Sequence, residues 1–219
     1  MRLSMKVVVT GSASGIGKAI ALKFLKEGHE VVGIDKISAP IRRKNYTHVV
    51  TDVFYGTLPD IENVEILINN AGVQNSGCDI DVNLKGTIAV TEKYGVQPAI
   101  KSVVFIASAS AETGSEFPEY VASKGGMVSY MKNVALRVAK WGATSNSLSP
   151  GGVLTPLNQH IIDNPDLWRQ VMDETPLKKW ATAEEIAEWT YFVAVINKSM
   201  TAQNILIDNG EAAKANFIW

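Results

Sequence analysis

Hydrophobic residues along this chain follow two rhythms that alternate from one end to the other. The first is a short, unbroken apolar run: Val7-Val8-Val9, Val31-Val32-Gly33-Ile34, Val64 to Ile68 and Val103 to Ala107. Continuous runs of this length, rich in β-branched residues, predict strands buried on both faces of a parallel sheet. Tyr46 to Thr51 and Asn204 to Ile207 add two more strands. The second rhythm is helical. Ile16, Ile20 and Phe24 recur at i, i+4 spacing while Lys23, Lys26 and Glu27 turn elsewhere. A longer helix carries Met127, Tyr130, Met131, Val134, Leu136 and Val138 towards Trp141-Gly142. Its apolar positions spread round more than one face, so one face covers the sheet and another suits a subunit contact. Thr182-Ala183-Glu184-Glu185 opens a further helix with an N-cap and an acidic first turn. Between Phe54 and Asn63, Gly56 and Pro59 leave no room for a long helix. This alternation predicts an α/β fold, a doubly wound parallel sheet with its ligand over the carboxyl ends of the strands.

Length and composition narrow the classes. At 219 residues, 1–219 is expected to form a single domain with a full hydrophobic core. A net charge of −1 gives no electrostatic footprint for nucleic acid or an anionic membrane. No apolar run approaches the roughly 20 residues that span a bilayer. Met1 to Lys6 lacks the apolar region and cleavage site of a signal peptide, so a cytoplasmic location is the expectation. Cys78 stands alone, and His29, His48 and His160 are scattered without metal-ligand spacing, so no metal site is expected.

The chemistry begins at Thr10-Gly11-Ser12-Ala13-Ser14-Gly15-Ile16-Gly17, which joins the first strand to the first helix. A turn this tight needs residues that accept positive φ and lack a Cβ, letting the backbone approach a ligand closely. The free N–H groups and positive dipole end of the new helix then suit a pyrophosphate. Gly11 to Gly15 does not serve as a G-x-S-x-G nucleophile elbow, because Ala13 occupies the nucleophile position. Asp35 ends the second strand 18 residues beyond Gly17. An acidic residue there accepts hydrogen bonds from the adenosine ribose and repels a 2′-phosphate, which favours NAD over NADP. Lys36, Arg42 and Arg43 lie near it; they read as a solvated loop, and a loop folded back would instead offer a 2′-phosphate a cation.

The G-x-x-x-G-x-G spacing, with the motifs that follow it in order along nearly the whole chain, resembles the short-chain dehydrogenase/reductase family. The chain is identified as a shortened member on that pattern. The resemblance implies a Rossmann-type sheet of about seven strands, the polar stretch Thr144 to Leu148 being the sixth. It implies that Asp52 and the backbone of Val53 meet the adenine ring. Asn69-Asn70-Ala71-Gly72 matches the family's N-N-A-G motif, in which Asn70, Ala71 and Gly72 face the cofactor. Asn83, separated from Gly72 by ten residues, matches the catalytic asparagine, whose helix kink and carbonyl hold a water near the lysine; an N-cap is its plainer reading. Ser108 fits the register of the catalytic serine, 12 residues before Tyr120, and Ser110 is the alternative. Pro150-Gly151-Gly152-Val153-Leu154-Thr155 matches P-G-x-x-x-T, with Pro150, Gly151, Val153 and Thr155 at the nicotinamide end.

Tyr120-Val121-Ala122-Ser123-Lys124 is the family's Y-x-x-x-K motif, and its spacing has a physical reason. Residues i and i+4 share a helix face, so the Lys124 ammonium lies beside the Tyr120 hydroxyl. That charge, joined by the oxidised nicotinamide, is expected to lower a phenol pKa that is ordinarily near 10. Tyr120 then gives a proton to a carbonyl oxygen or removes one from an alcohol, Ser108 steadies that oxygen, and Lys124 also binds the nicotinamide ribose.

The expected function is NAD(H)-dependent interconversion of a secondary alcohol and a carbonyl. The alternative is a non-catalytic NAD(H)-binding regulator, since fold and cofactor site alone do not establish chemistry. Hydroxysteroid, sugar or polyol, acyl thioester and small ketone all remain open as small-molecule substrates. Residues 156–180 correspond to the substrate lid of relatives. Its apolar residues suit either a hydrophobic substrate or the packing of the segment itself. The resemblance implies a homo-dimer or homo-tetramer assembled through the long helix. The tail to Trp219 is long enough to reach a neighbouring subunit or to cover the site.

Overall fold

A computed structural model describes residues 4–39 and 41–213 of the chain. The N-terminal three residues, and the part of the tail from residue 214 that was expected to reach a subunit or cover the site, lie outside the described residues.

Seven parallel strands form one sheet: β1 (Lys6–Thr10), β2 (Glu30–Asp35), β3 (Tyr46–Val50), β4 (Ile66–Asn69), β5 (Ser102–Ile106), β6 (Thr144–Pro150) and a last strand, Asn204–Ile207. Their spatial order is β3-β2-β1-β4-β5-β6, then Asn204–Ile207 at the edge. The chain winds outward one way from β1 through β2 to β3, then crosses back to β4 and winds the other way. A crevice therefore opens between β1 and β4, over the strands' carboxyl ends.

The unbroken apolar runs are explained by two-sided burial. Val7 and Val9 face one layer, with Ile20, Phe24 and Tyr191. Val8 faces the other, with Phe105, Met127 and Met131. Helix α1 (Gly15–Lys26) covers the first face, and α2 (Thr87–Tyr94) and α4 (Pro118–Val138) cover the second. Between β5 and α4 lies only the short α3 (Ser110–Thr113). As expected, no helix separates β3 from β4, where the chain makes turns from Val53 to Gly56. The fourth strand starts at Ile66 rather than Val64, which is buried ahead of it.

Strand β6 shows why its sequence hid it. Ser145, Asn146, Ser147 and Ser149 are fully buried, yet each side chain is satisfied. Ser145 Oγ donates to Met131 O, Asn146 Nδ2 to Met200 O, and Ser147 and Ser149 both donate to Asn204 Oδ1 at 2.7 Å. Small hydroxyls with local acceptors fit a tightly packed interior as well as aliphatic groups do.

The lid region leaves the sheet through a two-stranded ladder, β7 (Val153–Leu154) with β8 (Ala181–Thr182). Two helices stand on it, α5 (Gln159–Ile162) and α6 (Pro165–Glu174), the second capped by Asn164, whose side chain accepts from Leu167 N at 3.1 Å. No residue of α6 is buried, so the lid lies over the body without being packed into its core. At its base Trp180 lies against Gly152 and meets Trp168 edge to face, ring centroids 5.1 Å apart. Beyond β8, α7 (Ala183–Tyr191) begins with a capping box between Thr182 and Glu185, in which each side chain bonds the other's backbone N–H. Among the described residues, no helix is long and apolar enough to cross a membrane.

Candidate active site

One cleft of about 1690 Å³ runs over the carboxyl ends of the strands, and most of the predicted site residues line it. Its floor is the glycine turn. Gly11 and Gly15 hold φ of 67° and 50°, conformations that glycine adopts without a Cβ penalty. The N-N-A-G segment is tied to that turn: Asn70 Nδ2 donates to Thr10 O and Gly11 O, and Thr10 Oγ1 accepts from the backbone N–H groups of Asn70 and Ala71 at 3.0 Å each. Ser14, at the head of α1, makes no side-chain cap, and the first turn holds no acidic residue. Its N–H groups are therefore left for an anion at the cleft floor.

Two of the predicted cofactor residues do not reach the cleft. Ser12 is fully buried, its hydroxyl 3.1 Å from the Tyr46 hydroxyl. Gly17 is packed beneath the turn, where a Cβ would overlap Gly11 O and the Asn70 amide. Both support the turn from behind, while Gly11, Ser14, Gly15 and Ile16 line the cleft.

At the adenosine end, Asp35 Oδ2 accepts from Ala13 N at 2.9 Å and Oδ1 from Ile37 N at 3.2 Å. Each oxygen keeps further acceptor capacity, so the carboxylate both braces the turn and faces the cleft. Lys36 lines the cleft beside it, whereas Arg42 and Arg43 stand exposed away from it. Asp52 and Val53 line the cleft, and Asp52 Oδ1 also accepts from Phe54 N and Tyr55 N, which fixes the turn after β3. At the opposite end Pro150, Gly151, Val153 and Thr155 form the wall, and Thr155 stands across from Gly15.

The four residues expected to carry chemistry are brought together by β5, α4 and a π-helical turn at Ile80–Gly86. That turn is the form taken by the expected kink. Asn83 within it is fully buried and does not line the cleft. Its amide accepts from Val73 N at 2.7 Å and donates to Val73 O at 2.9 Å and Ser123 Oγ at 3.0 Å. Ser123 Oγ in turn donates to Tyr120 O at 2.7 Å, so Asn83 links the loop after N-N-A-G to the first turn of α4. It is not an N-cap.

Ser108 acts on the Tyr120 phenol, favouring its ionised form, and its Oγ accepts from Ser110 N at 3.2 Å and Ser110 Oγ at 2.9 Å. Of the two serines, Ser108 therefore stands at the tyrosine and Ser110 behind it. Lys124 is buried, its Nζ donating to Ile106 O at 2.9 Å and lying 5.7 Å from the Tyr120 ring centroid.

The electrostatics differ from the sequence expectation. Burial pushes the Tyr120 phenol up to about 12; Ser108 pulls it down, while the charges of Glu116 and Asp79 push it further up. Burial brings Lys124 down to about 8, against the upward pull of Glu116 and Asp79. Desolvation of the phenolate is the largest influence and outweighs the downward pull of Ser108.

Sequence reasoning missed both carboxylates. Asp79 is buried, accepting from Asn75 N, Ser76 N and Ser76 Oγ; its place just ahead of a helical segment was the available signal. Glu116 lies four residues before Tyr120 in a loop of no regular pattern.

The arrangement defines a class: a nucleotide cleft over a doubly wound sheet, with a serine, tyrosine and lysine at one end. A family profile described as Enoyl-(Acyl carrier protein) reductase matches residues 47–211. The chain belongs to the short-chain dehydrogenase/reductase family, oxidoreductases that act on CH–OH groups. The 3-oxoacyl-(acyl-carrier-protein) reductase of Buchnera aphidicola is 30% identical over 92% of this chain and 94% of its own. Glucose 1-dehydrogenase of Gluconobacter oxydans is 27% identical over 97% of this chain and 93% of its own. Among solved structures, the ligand-free aldohexose dehydrogenase of Thermoplasma acidophilum superposes with a TM-score of 0.85 at 25% identity, covering 99% of this chain and 97% of that one.

Proposed function

We propose that this protein is an NAD(H)-dependent dehydrogenase or carbonyl reductase, with Tyr120 as its proton-transfer group. The observation that carries the reading is the joint placement of Ser108, Tyr120 and Lys124 at one end of a cleft whose other end holds Asp35. The donor set fits a dinucleotide. Gly11, Gly15 and the open first turn of α1 suit the pyrophosphate, and Asp35 suits ribose hydroxyls while opposing a 2′-phosphate. Asp52 and Val53 would flank the adenine, and Val153 and Thr155 the carboxamide. When bound, the nicotinamide supplies or accepts the hydride.

The chain's own residues manage the proton. With its pKa near 12, Tyr120 stays protonated at neutral pH and is the acid for a carbonyl oxygen that becomes an alkoxide. Ser108, at the same end of the cleft, donates to the same oxygen and stabilises its developing charge. In the oxidative direction the phenolate must form, and Lys124 together with the positive charge of an oxidised cofactor offsets the cost of burial. Asn83 and Ser123 are positioning residues that hold the start of α4 against the Val73 loop. A homo-dimer or homo-tetramer built on α4 belongs to the same reading, since Leu136 on that helix is 79% exposed.

The test follows nicotinamide absorbance with NADH and NADPH across ketones and aldehydes, and with the oxidised cofactors across secondary alcohols. Turnover with NADH in preference to NADPH supports the reading. Tight NADH binding without turnover of any compound offered would establish the regulator instead.

A further inference from the structure

The substrate end of the cleft holds a carboxylate that proton transfer does not use. Glu116, in the loop between α3 and α4, has φ of 83°, a left-handed conformation that a non-glycine residue keeps only when its surroundings impose it. Its Oε2 accepts from Gln74 Nε2 at 2.9 Å, and its Oε1 takes no hydrogen bond among the described residues. Desolvation holds this carboxyl above its ordinary value, and its charge acts on both Tyr120 and Lys124. Glu116 is exposed where it lines the cleft, so an acceptor oxygen with a lone pair to spare is open to a ligand there.

We propose that Glu116 selects a neutral, polyhydroxylated substrate, an aldose or polyol, by accepting a hydrogen bond from a hydroxyl next to the one that exchanges its proton with Tyr120. The proposal rests on the dehydrogenase reading and names the substrate class of that same site.

Charge weighs against the competing classes. Glu116, Glu174 and Glu211 line the cleft. Among the described lining residues there is no arginine, and the lysines are Lys36 beside Asp35 and the buried Lys124. His160 on the lid is the remaining basic group. A substrate carboxylate or phosphate would meet like charge without a dedicated partner. A cationic substrate would need acceptors only, whereas the amides of Gln74, Asn75, Asn158 and Gln170 also line the cleft. Amides donate as well as accept, which matches hydroxyl groups. Leu157, Ile161 and Val171 on the lid offer an apolar surface to the C–H face of such a molecule.

The experiment compares wild type with Glu116→Gln, after thermal melting has shown that the variant folds. It measures kcat/KM with NAD for a panel of aldoses and linear polyols, and for cyclohexanol, 3-hydroxybutyrate and 1-amino-2-propanol. The ratio of each substrate to cyclohexanol cancels the influence of the Glu116 charge on Tyr120 and Lys124. The expected result is a wild-type preference for a polyhydroxylated substrate whose ratio falls by about 10- to 100-fold in the variant. The 3-hydroxybutyrate ratio rises. An unchanged polyol ratio, or a wild-type preference for the hydroxy acid or the amino alcohol, overturns the proposal.

Failure of the dehydrogenase reading looks different, with no compound turned over by either protein. The polyol-induced thermal shift of the NADH complex then decides. A shift present in wild type and lost in Glu116→Gln supports the proposal; equal shifts, or none in either protein, overturn it.

Discussion

Replacing Gly17 by alanine tests how the first helix is seated on the glycine turn. Gly17 is not among the positive-φ glycines, so alanine meets no backbone strain there and gains about 1 kcal/mol of helix propensity. Space is the obstacle. The new Cβ would overlap Gly11 O and Asn70 Nδ2 and lie 2.7 Å from the Gly11 carbonyl carbon, where an ordinary carbon–carbon contact is about 3.5–4.0 Å. Helix α1 and the turn must separate by about 1 Å. Overpacking of this kind costs about 1–3 kcal/mol. Separation also breaks the two bonds from Asn70 to Thr10 O and Gly11 O, each worth about 1 kcal/mol. The expected net loss is about 2–4 kcal/mol in urea denaturation of the cofactor-free protein. NADH affinity falls by about 10-fold or more as the first-turn N–H groups shift away from the cleft floor. Gly125→Ala is the comparison: its Cβ would meet nothing within 4 Å at a half-buried position of α4, and it should gain up to about 1 kcal/mol. A Gly17→Ala protein as stable as wild type, with unaltered NADH affinity, would refute the close-approach reasoning.

Two further predictions follow from the charged groups. Lys124 has its pKa held down to about 8 in the fold but keeps the ordinary 10.5 when unfolded. The unfolded chain binds more protons between those values, so stability rises with pH across that window, by up to about 3 kcal/mol. Lys124→Met should remove the rise, which urea titrations at about pH 8 and about pH 10 will show. Asp35→Ser removes the charge opposing a 2′-phosphate and the acceptor for Ala13 N. The NADH-to-NADPH ratio of kcat/KM should fall by about 10- to 100-fold, and stability by about 1 kcal/mol; an unchanged ratio contradicts the assigned role.

Much of the architecture was legible because burial on both faces writes itself into unbroken runs such as Val7-Val8-Val9 and Val103 to Ala107. Strand β6 was not, since serine and asparagine buried with local acceptors leave no periodic trace; only the family pattern placed it. Site residues were legible where one backbone geometry demands one residue type, as at Gly11 and Gly15, or where i, i+4 spacing brings two groups together, as at Tyr120 and Lys124. Ser12 and Gly17 were given to the cofactor because a motif does not say which of its members face inward. Glu116 escaped notice because a loop carboxylate gains meaning only from what the fold sets beside it. The enclosure of the phenol was hidden for a related reason: spacing reveals the lysine, whereas desolvation depends on the whole fold around it.

Tyr120→Phe tests the central claim most directly. The substitution removes one hydroxyl from a site whose other cleft walls stay in place. The account predicts a fall in kcat of at least about 100-fold at neutral pH, with NADH affinity within about threefold of wild type. Turnover close to wild type in the variant would contradict the assignment of Tyr120 as the proton-transfer group.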